Sequence, residues 1–105
     1  MSRTYRLYVI ALDPAVWHER LFRKENPHGT GQCVYVGSTA HTPEYRLAQH
    51  KAGEFCTRRW VQRYGLDLVP ELAGTTEYST REAAEKAERE LALHLRQRGY
   101  AVWSR

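Results

Sequence analysis

The sequence predicts a small mixed α/β domain, and three features of the chain lead to this class. A Tyr- and Val-rich run from Thr4 to Leu12 stops at a turn signal, Asp13-Pro14. A second apolar run extends from Gln32 to Ser38, and an Ala- and Leu-periodic segment lies near the end of the chain. The first two runs are typical of strands that pair antiparallel, and the third is typical of an amphipathic helix.

Two helices have clear ends in the sequence. The first begins at Thr42-Pro43-Glu44, with Thr as N-cap and Pro at the first helical position, and should run to about Ala52 before Gly53. The last begins at the capping box Ser79-Thr80-Arg81-Glu82 and should continue to about Arg98, with Gly99 as its stop.

The remaining segments are predicted less directly. Residues 57–64 are expected to form a short helix closed by Gly65, and Leu66 to Glu77 a third strand in which Pro70 favours an edge position or a break. Residues 13–31 form a long connection, which is usually either functional or mobile.

Composition indicates one globular domain over residues 1–105. The chain has 42% hydrophobic and 27% charged residues, which excludes a disordered or fibrous protein. A formal net charge of +4 modestly favours a polyanionic partner. Cys33 and Cys56 lack the spacing of a zinc or redox site, so we expect free thiols. No apolar run is long enough for a membrane span or resembles a cleaved signal, so we expect a cytoplasmic protein.

Several side chains could carry chemistry. Glu88 falls within the apolar stripe of the last helix, where a carboxylate loses hydration unless a cation or hydrogen-bond donors replace it. A salt bridge to an arginine at the edge of the stripe is the alternative for Glu88. Arg46 and His50 are four residues apart and project from one helix face, which suits phosphate binding and proton transfer, although both could be solvated polar residues. Tyr8 and Tyr35 lie in neighbouring strands and could pack or take part in catalysis.

The order of these residues resembles the GIY-YIG nuclease family. A first strand with Arg6-Leu7-Tyr8, a second with Tyr35-Val36-Gly37, a helix with Arg46 and His50, and a late helix with Glu88 follow its pattern from about residue 5 to 103. The family fold implies a three-stranded antiparallel sheet flanked by helices. The usual Gly of the first motif is replaced, and the only Asn, Asn26, lies in the early connection instead of near the C-terminal end.

The resemblance implies a metal-dependent endonuclease that hydrolyses phosphodiester bonds, with DNA as the expected substrate. Tyr8, Tyr35, Gly37, Arg46 and His50 are the implied catalytic residues, and Glu88 is the implied ligand of one Mg²⁺ or Mn²⁺ ion. Either a tyrosine or His50 could be the general base, because an ordinary tyrosine has a pKa of about 10.

Nucleic-acid binding is expected from basic side chains that contact phosphates, and each could equally belong to a solvated face. These residues are Lys51, Arg58, Arg59 and Arg63, with Arg20, Arg23 and Lys24 as a second region. Because no separate DNA-reading module is expected in the chain, specificity should come from the long connection, a homodimer, a partner protein or nucleic-acid shape. The alternative function is a nucleic-acid-binding accessory module that keeps the fold with weak or no cleavage.

Overall fold

A five-stranded mixed sheet forms the centre of the molecule. The computed structural model describes residues 3–53 and 60–104. Its strands are β1 Tyr5–Leu12, β2 Cys33–Thr39, β3 Gly65–Leu68, β4 Glu77–Tyr78 and β5 Ala101–Ser104. They follow the order β3-β1-β2-β5, and β4 also pairs with β1. The expected three-stranded antiparallel sheet is wrong in strand number and partly in direction, because β5 runs parallel to β2.

The predicted antiparallel pair of long strands is confirmed. In the β1–β2 register, Tyr8 lies opposite Gly37 and Ile10 lies opposite Tyr35. Because side chains alternate along a strand, Tyr8 and Tyr35 share one face of the sheet as diagonal neighbours. This register brings the two tyrosines together.

The predicted third strand from Leu66 to Glu77 is wrong as a single element. It divides into β3, the short helix α4 at Pro70–Ala73, and β4. Pro70 occupies the first turn of α4, where its missing N–H is not needed. Both β3 and β4 pair antiparallel with β1, which explains how an interrupted segment still adds to the sheet.

The two long helices agree with their predicted ends. The helices are α1 Arg20–Glu25, α2 Pro43–Lys51, α3 Trp60–Tyr64, α4 Pro70–Ala73 and α5 Arg81–Gln97. Thr42 caps α2 by accepting a hydrogen bond from the backbone N–H of Tyr45, and Gly53 follows the helix with a φ of +77°. In α5 the N-cap is Thr80 instead of Ser79, and Gly99 follows with a φ of +94°.

The expected irregular connection at residues 13–31 instead contains a 3₁₀ helix, Pro14–His18, and α1. Asp13 caps the 3₁₀ helix by accepting from the backbone N–H of Ala15. Val16 and Phe22 are completely buried, so each short helix is held by one apolar anchor. Tertiary burial stabilises helical turns too short to persist alone.

Two hydrophobic cores cover the two faces of the sheet. Tyr8, Tyr35 and Phe22 belong to the core under α1, α2 and α3, whereas Val34, Val36 and Leu95 belong to the core under α4 and α5.

The first part of the predicted helix 57–64 lies outside the described residues, and α3 accounts for the rest. Among the described helices, none has the length and apolar character needed to cross a membrane.

Candidate active site

Three aromatic rings form a buried cluster between the sheet and α2. The ring centroids of Tyr8 and Tyr35 are 6.1 Å apart, and those of Tyr35 and His50 are 5.2 Å apart. The Tyr8 hydroxyl lies 2.9 Å from His50 Nε2, within hydrogen-bonding distance. His50 is only 6% exposed, so β1, β2 and α2 together enclose the imidazole.

Gly37 makes this arrangement possible. A Cβ atom at position 37 would lie 2.5 Å from both Cζ and the hydroxyl oxygen of Tyr8. The Tyr8 side chain therefore crosses β2 in the space that the absent Gly37 side chain leaves. Here glycine is required for close approach of a neighbouring group, and not for an unusual backbone angle.

Arg46 is a charged neighbour of the buried phenol. Its guanidinium is close enough to favour ionisation of Tyr8, and Arg46 lies one helical turn before His50 on the same face of α2. Burial, with the neighbouring Tyr35, raises the pKa of Tyr8 well above its ordinary value, although the Arg46 guanidinium opposes the shift. Tyr8 is therefore a neutral phenol at physiological pH.

Glu88 approaches the end of β2 from the opposite side of the sheet. Its side chain is 6% exposed, as its position in the apolar stripe of α5 indicated. The Ser38 hydroxyl donates a 2.9 Å hydrogen bond to Glu88 Oε2. Since Gly37 and Ser38 are consecutive in β2, the phenol cluster and the carboxylate lie on either side of the same strand end.

A cavity of about 460 Å³ lies where β1 begins and β2 ends, between α2 and α5. Arg46 and Glu88 both line it, whereas Tyr8, Tyr35 and His50 do not. Arg46 thus connects the cavity to the buried phenol. The residues around this cavity are Arg3, Tyr5, Ser38, Thr39, Ala40, His41, Arg46, Arg81, Glu85, Glu88 and Arg89.

The donor set of the cavity fits a hard divalent cation. Glu85 lies one turn before Glu88 on α5 and lines the same cavity, so two carboxylates are available. Across residues 3–53 and 60–104 there is no group of three or more His, Cys, Asp or Glu side chains suited to a metal ion. Mg²⁺ and Mn²⁺ do not require such a group, because Mg²⁺ usually keeps several waters and takes one or two carboxylates with substrate phosphates.

The predicted nucleic-acid-binding residues are dispersed. Arg58 and Arg59 lie outside the described residues, and none of the others lines the cavity. Arg63 is exposed but ion-paired with Glu19 at 3.2 Å. Arg23 donates to the backbone carbonyl of Trp17. The other three predicted residues are exposed and belong to α1 or to the end of α2, namely Arg20, Lys24 and Lys51.

Sequence reasoning missed several residues around the cavity. Arg81, Glu85 and Arg89 are spaced four residues apart and lie on one face of α5, a pattern that the sequence does contain. Their proximity to Arg46 depends on α5 packing across the sheet. His41, immediately before the N-cap of α2, had no comparable signal.

Comparison with family models decides the assignment. The model of the GIY-YIG catalytic domain matches residues 21–101 of the 105-residue chain. The chain belongs to the GIY-YIG family. Comparisons with curated proteins and with solved structures give no significant match.

The GIY-YIG match includes most of the site. Tyr35, Arg46 and Glu88 lie within the matched residues, whereas β1 with Tyr8 precedes them. GIY-YIG domains are typically endonucleases that use divalent metal ions, so a nucleic-acid substrate is implied at the level of the family. The connection of Tyr8 to this GIY-YIG site is carried by its contacts with His50 and Arg46.

Proposed function

We propose that the protein is a metal-dependent endonuclease that hydrolyses phosphodiester bonds, with DNA as its substrate. One observation carries the proposal: Arg46, whose charge acts on the Tyr8 phenol, lines the same cavity as Glu88. A cation-binding carboxylate, a phosphate-binding guanidinium and a proton-transfer group are the three functions that phosphodiester hydrolysis needs. We further propose that residues 1–105 act as one nuclease domain.

Arg46 is assigned to the scissile phosphate. Its guanidinium stays charged and offers a planar fork of donors to the phosphoryl oxygens, where negative charge increases in the transition state. Glu88, with Glu85 beside it, would hold one Mg²⁺ or Mn²⁺ ion. When bound, this ion supplies Lewis-acid polarisation of the phosphate and stabilises the leaving oxygen. Ser38 orients the Glu88 carboxylate through its 2.9 Å hydrogen bond.

Proton transfer is assigned to Tyr8 and His50 acting together. The raised pKa of Tyr8 disfavours a preformed phenolate, so Tyr8 cannot act alone as the base near neutral pH. Tyr8 lies behind Arg46 and does not line the cavity, so the proposed step requires the attacking water to enter beside the Arg46 side chain. The phenol oxygen would then take a proton from this water while its own proton passes to His50 Nε2. The 2.9 Å separation supports this relay. Tyr35 packs edge-on against His50 and orients the imidazole.

The direct test is cleavage of supercoiled plasmid by the purified protein in Mg²⁺ or Mn²⁺, with and without a chelator. Glu88→Gln retains size but removes the charge, and should lower the cleavage rate about 100-fold or more. Arg46→Ala should have an effect of similar size. Glu82→Gln is the matched control, because Glu82 is an exposed glutamate of the same helix that does not line the cavity.

Each result has a defined meaning. Cleavage that persists in Glu88→Gln and Arg46→Ala, or with the chelator, would come from a contaminating nuclease and contradict the proposal. Plasmid binding without cleavage in either metal would support the accessory-module alternative. Thermal unfolding of each variant separates loss of chemistry from loss of folding.

A further inference from the structure

An exposed aromatic pair lies at the rim of the cavity. The ring centroids of His41 and Tyr45 are 4.7 Å apart, with an angle of 41° between the ring planes. Tyr45 is 50% exposed. In the described part of the chain three large apolar side chains are exposed; one is the aromatic Tyr45, and the other two are the aliphatic Leu66 and Leu93.

The backbone around this pair is held by local hydrogen bonds. The N–H of His41 donates to Thr39 Oγ1 at 2.9 Å, and the N–H of Tyr45 donates to Thr42 Oγ1 at 3.1 Å. Tyr45 is in the first turn of α2, and His41 lies in the short connection between the end of β2 and the N-cap of α2. One ring is therefore presented from a helix and the other from a hydrogen-bonded connection, which lowers the entropic cost of using them in binding.

The position of the pair relates it to the phosphate site. His41 and Arg46 both line the cavity, and the Tyr45 ring packs against the His41 ring. A phosphate held by the Arg46 guanidinium therefore has an exposed aromatic surface beside it. The neighbouring nucleoside of the same strand is the part of the substrate that this surface can contact.

Stacking on such a surface requires an available base face. In a duplex both faces of a base are covered by its neighbours, whereas bases in loops, bulges, gaps and single strands can be turned outward onto an aromatic side chain. Stacking of one base contributes about 1 to 3 kcal/mol and tolerates any base, because every base has a π face. An exposed aromatic pair beside a phosphate site therefore favours nucleic acid with an unpaired base at that position over a fully paired duplex.

We propose that His41 and Tyr45 stack an unpaired base next to the scissile phosphate, so that the protein selects nucleic acid that is single-stranded or locally unpaired there. This inference rests on the proposed function for the location of the phosphate. Selection then depends on strand structure and carries little information about sequence.

The test measures binding without metal ions, so that it does not depend on cleavage. The probe is a DNA duplex with a three-nucleotide bulge that contains 2-aminopurine, whose fluorescence falls when it stacks. The fully paired duplex of the same sequence is the comparison. Tyr45→Leu keeps an apolar side chain but removes the ring, and should weaken bulge binding about 5- to 150-fold. Tyr45→Phe keeps the ring and should bind within about twofold of the original protein.

Leu93→Ala is the matched control, because Leu93 is an exposed apolar residue of α5 that does not line the cavity. Equal affinity for bulged and paired DNA, with Tyr45→Leu unchanged, would overturn the inference and leave the plasmid test of Glu88 unaffected. Tyr45-dependent quenching in a protein that cleaves neither the plasmid nor the bulged duplex in Mg²⁺ or Mn²⁺ would support the stacking surface and contradict the nuclease proposal.

Discussion

Among single residues, Gly37 has the most direct effect on the proposed chemistry. Its hydrogen atom occupies the position where any larger side chain would meet the Tyr8 phenol at 2.5 Å. The contact is with the ring and its hydroxyl, so the same oxygen that approaches His50 would be displaced. A single missing methyl group therefore determines where the phenol lies.

We expect Gly37→Ala to lower the free energy of unfolding by about 1 to 3 kcal/mol, because it overpacks a closely fitted site. The same substitution in a Tyr8→Ala background should cost little, since the conflicting ring is gone. Urea unfolding of the two single variants and the double variant gives the coupling free energy between positions 8 and 37. Strictly additive effects would show that the two residues do not compete for space.

The raised pKa of Tyr8 predicts how stability depends on alkaline pH. In the unfolded chain the phenol loses its proton near pH 10, while the folded protein retains it at higher pH. The contribution of Tyr8 to stability is therefore complete below about pH 10. It is lost as the pH rises above that value, by at most about 1.4 kcal/mol per pH unit.

Tyr8→Phe removes this titrating group and should have a shallower loss of stability between pH 10 and 11 than the original protein. Urea unfolding at several pH values measures the two slopes. Because the other tyrosines and lysines are common to both proteins, their titration cancels in the comparison. Parallel slopes would argue against a buried neutral phenol at position 8.

Asn26 joins three elements that are distant in sequence. Its amide nitrogen donates to the carbonyls of Phe22 and Val102, and its amide oxygen accepts from the Val102 N–H and from Arg96. These bonds connect the end of α1 with β5 and with α5. Asn26 is 4% exposed, so each bond replaces a lost contact with water. These contacts indicate a structural role for Asn26.

Asn26→Ala should lower the free energy of unfolding by about 2 to 4 kcal/mol, because the buried N–H and carbonyl groups lose their partner. Gln97→Ala, which changes an exposed polar residue of α5, should remain within about 0.5 kcal/mol of the original. At a temperature where both variants are folded, both should cleave at the original rate. A large loss of cleavage with unchanged stability would instead assign Asn26 to catalysis.

At the scale of the whole molecule, the distribution of charge matters more than the net charge of +4. Arg81 and Arg89 lie at the cavity with Arg46, whereas Arg63 lies elsewhere and is paired with Glu19. Cations that contact phosphates release counterions from the nucleic acid when they bind, and this release makes the affinity depend on salt. The net charge alone does not distinguish the arginines at the cavity from the ion-paired Arg63.

Arg81→Ala and Arg89→Ala should each reduce the slope of log Kd against log salt by about 0.9 for duplex DNA, or about 0.7 for a single strand. Arg63→Ala should change the slope less. Metal-free anisotropy titrations over a range of salt concentrations measure these slopes. A larger effect at Arg63 would locate the main electrostatic contact near α3 and away from the cavity.

Local signals in the sequence determined the elements that carry the site. Apolar runs next to turn signals identified β1 and β2, and capping motifs and terminal glycines located the ends of α2 and α5 within a residue or so. The position of Glu88 in an apolar stripe predicted its burial. These predictions succeed because each depends on residues only a few positions apart.

Only the tertiary structure decided which distant elements meet. β5 is four residues long and is a strand because it pairs with β2, and α1 persists because Phe22 is buried. The same packing brings Arg46 from α2 and Glu88 from α5 to one cavity, and places the His41–Tyr45 pair at its rim. Contacts between residues far apart in the chain depend on the whole pattern of packing, and no local run of residues specifies that pattern.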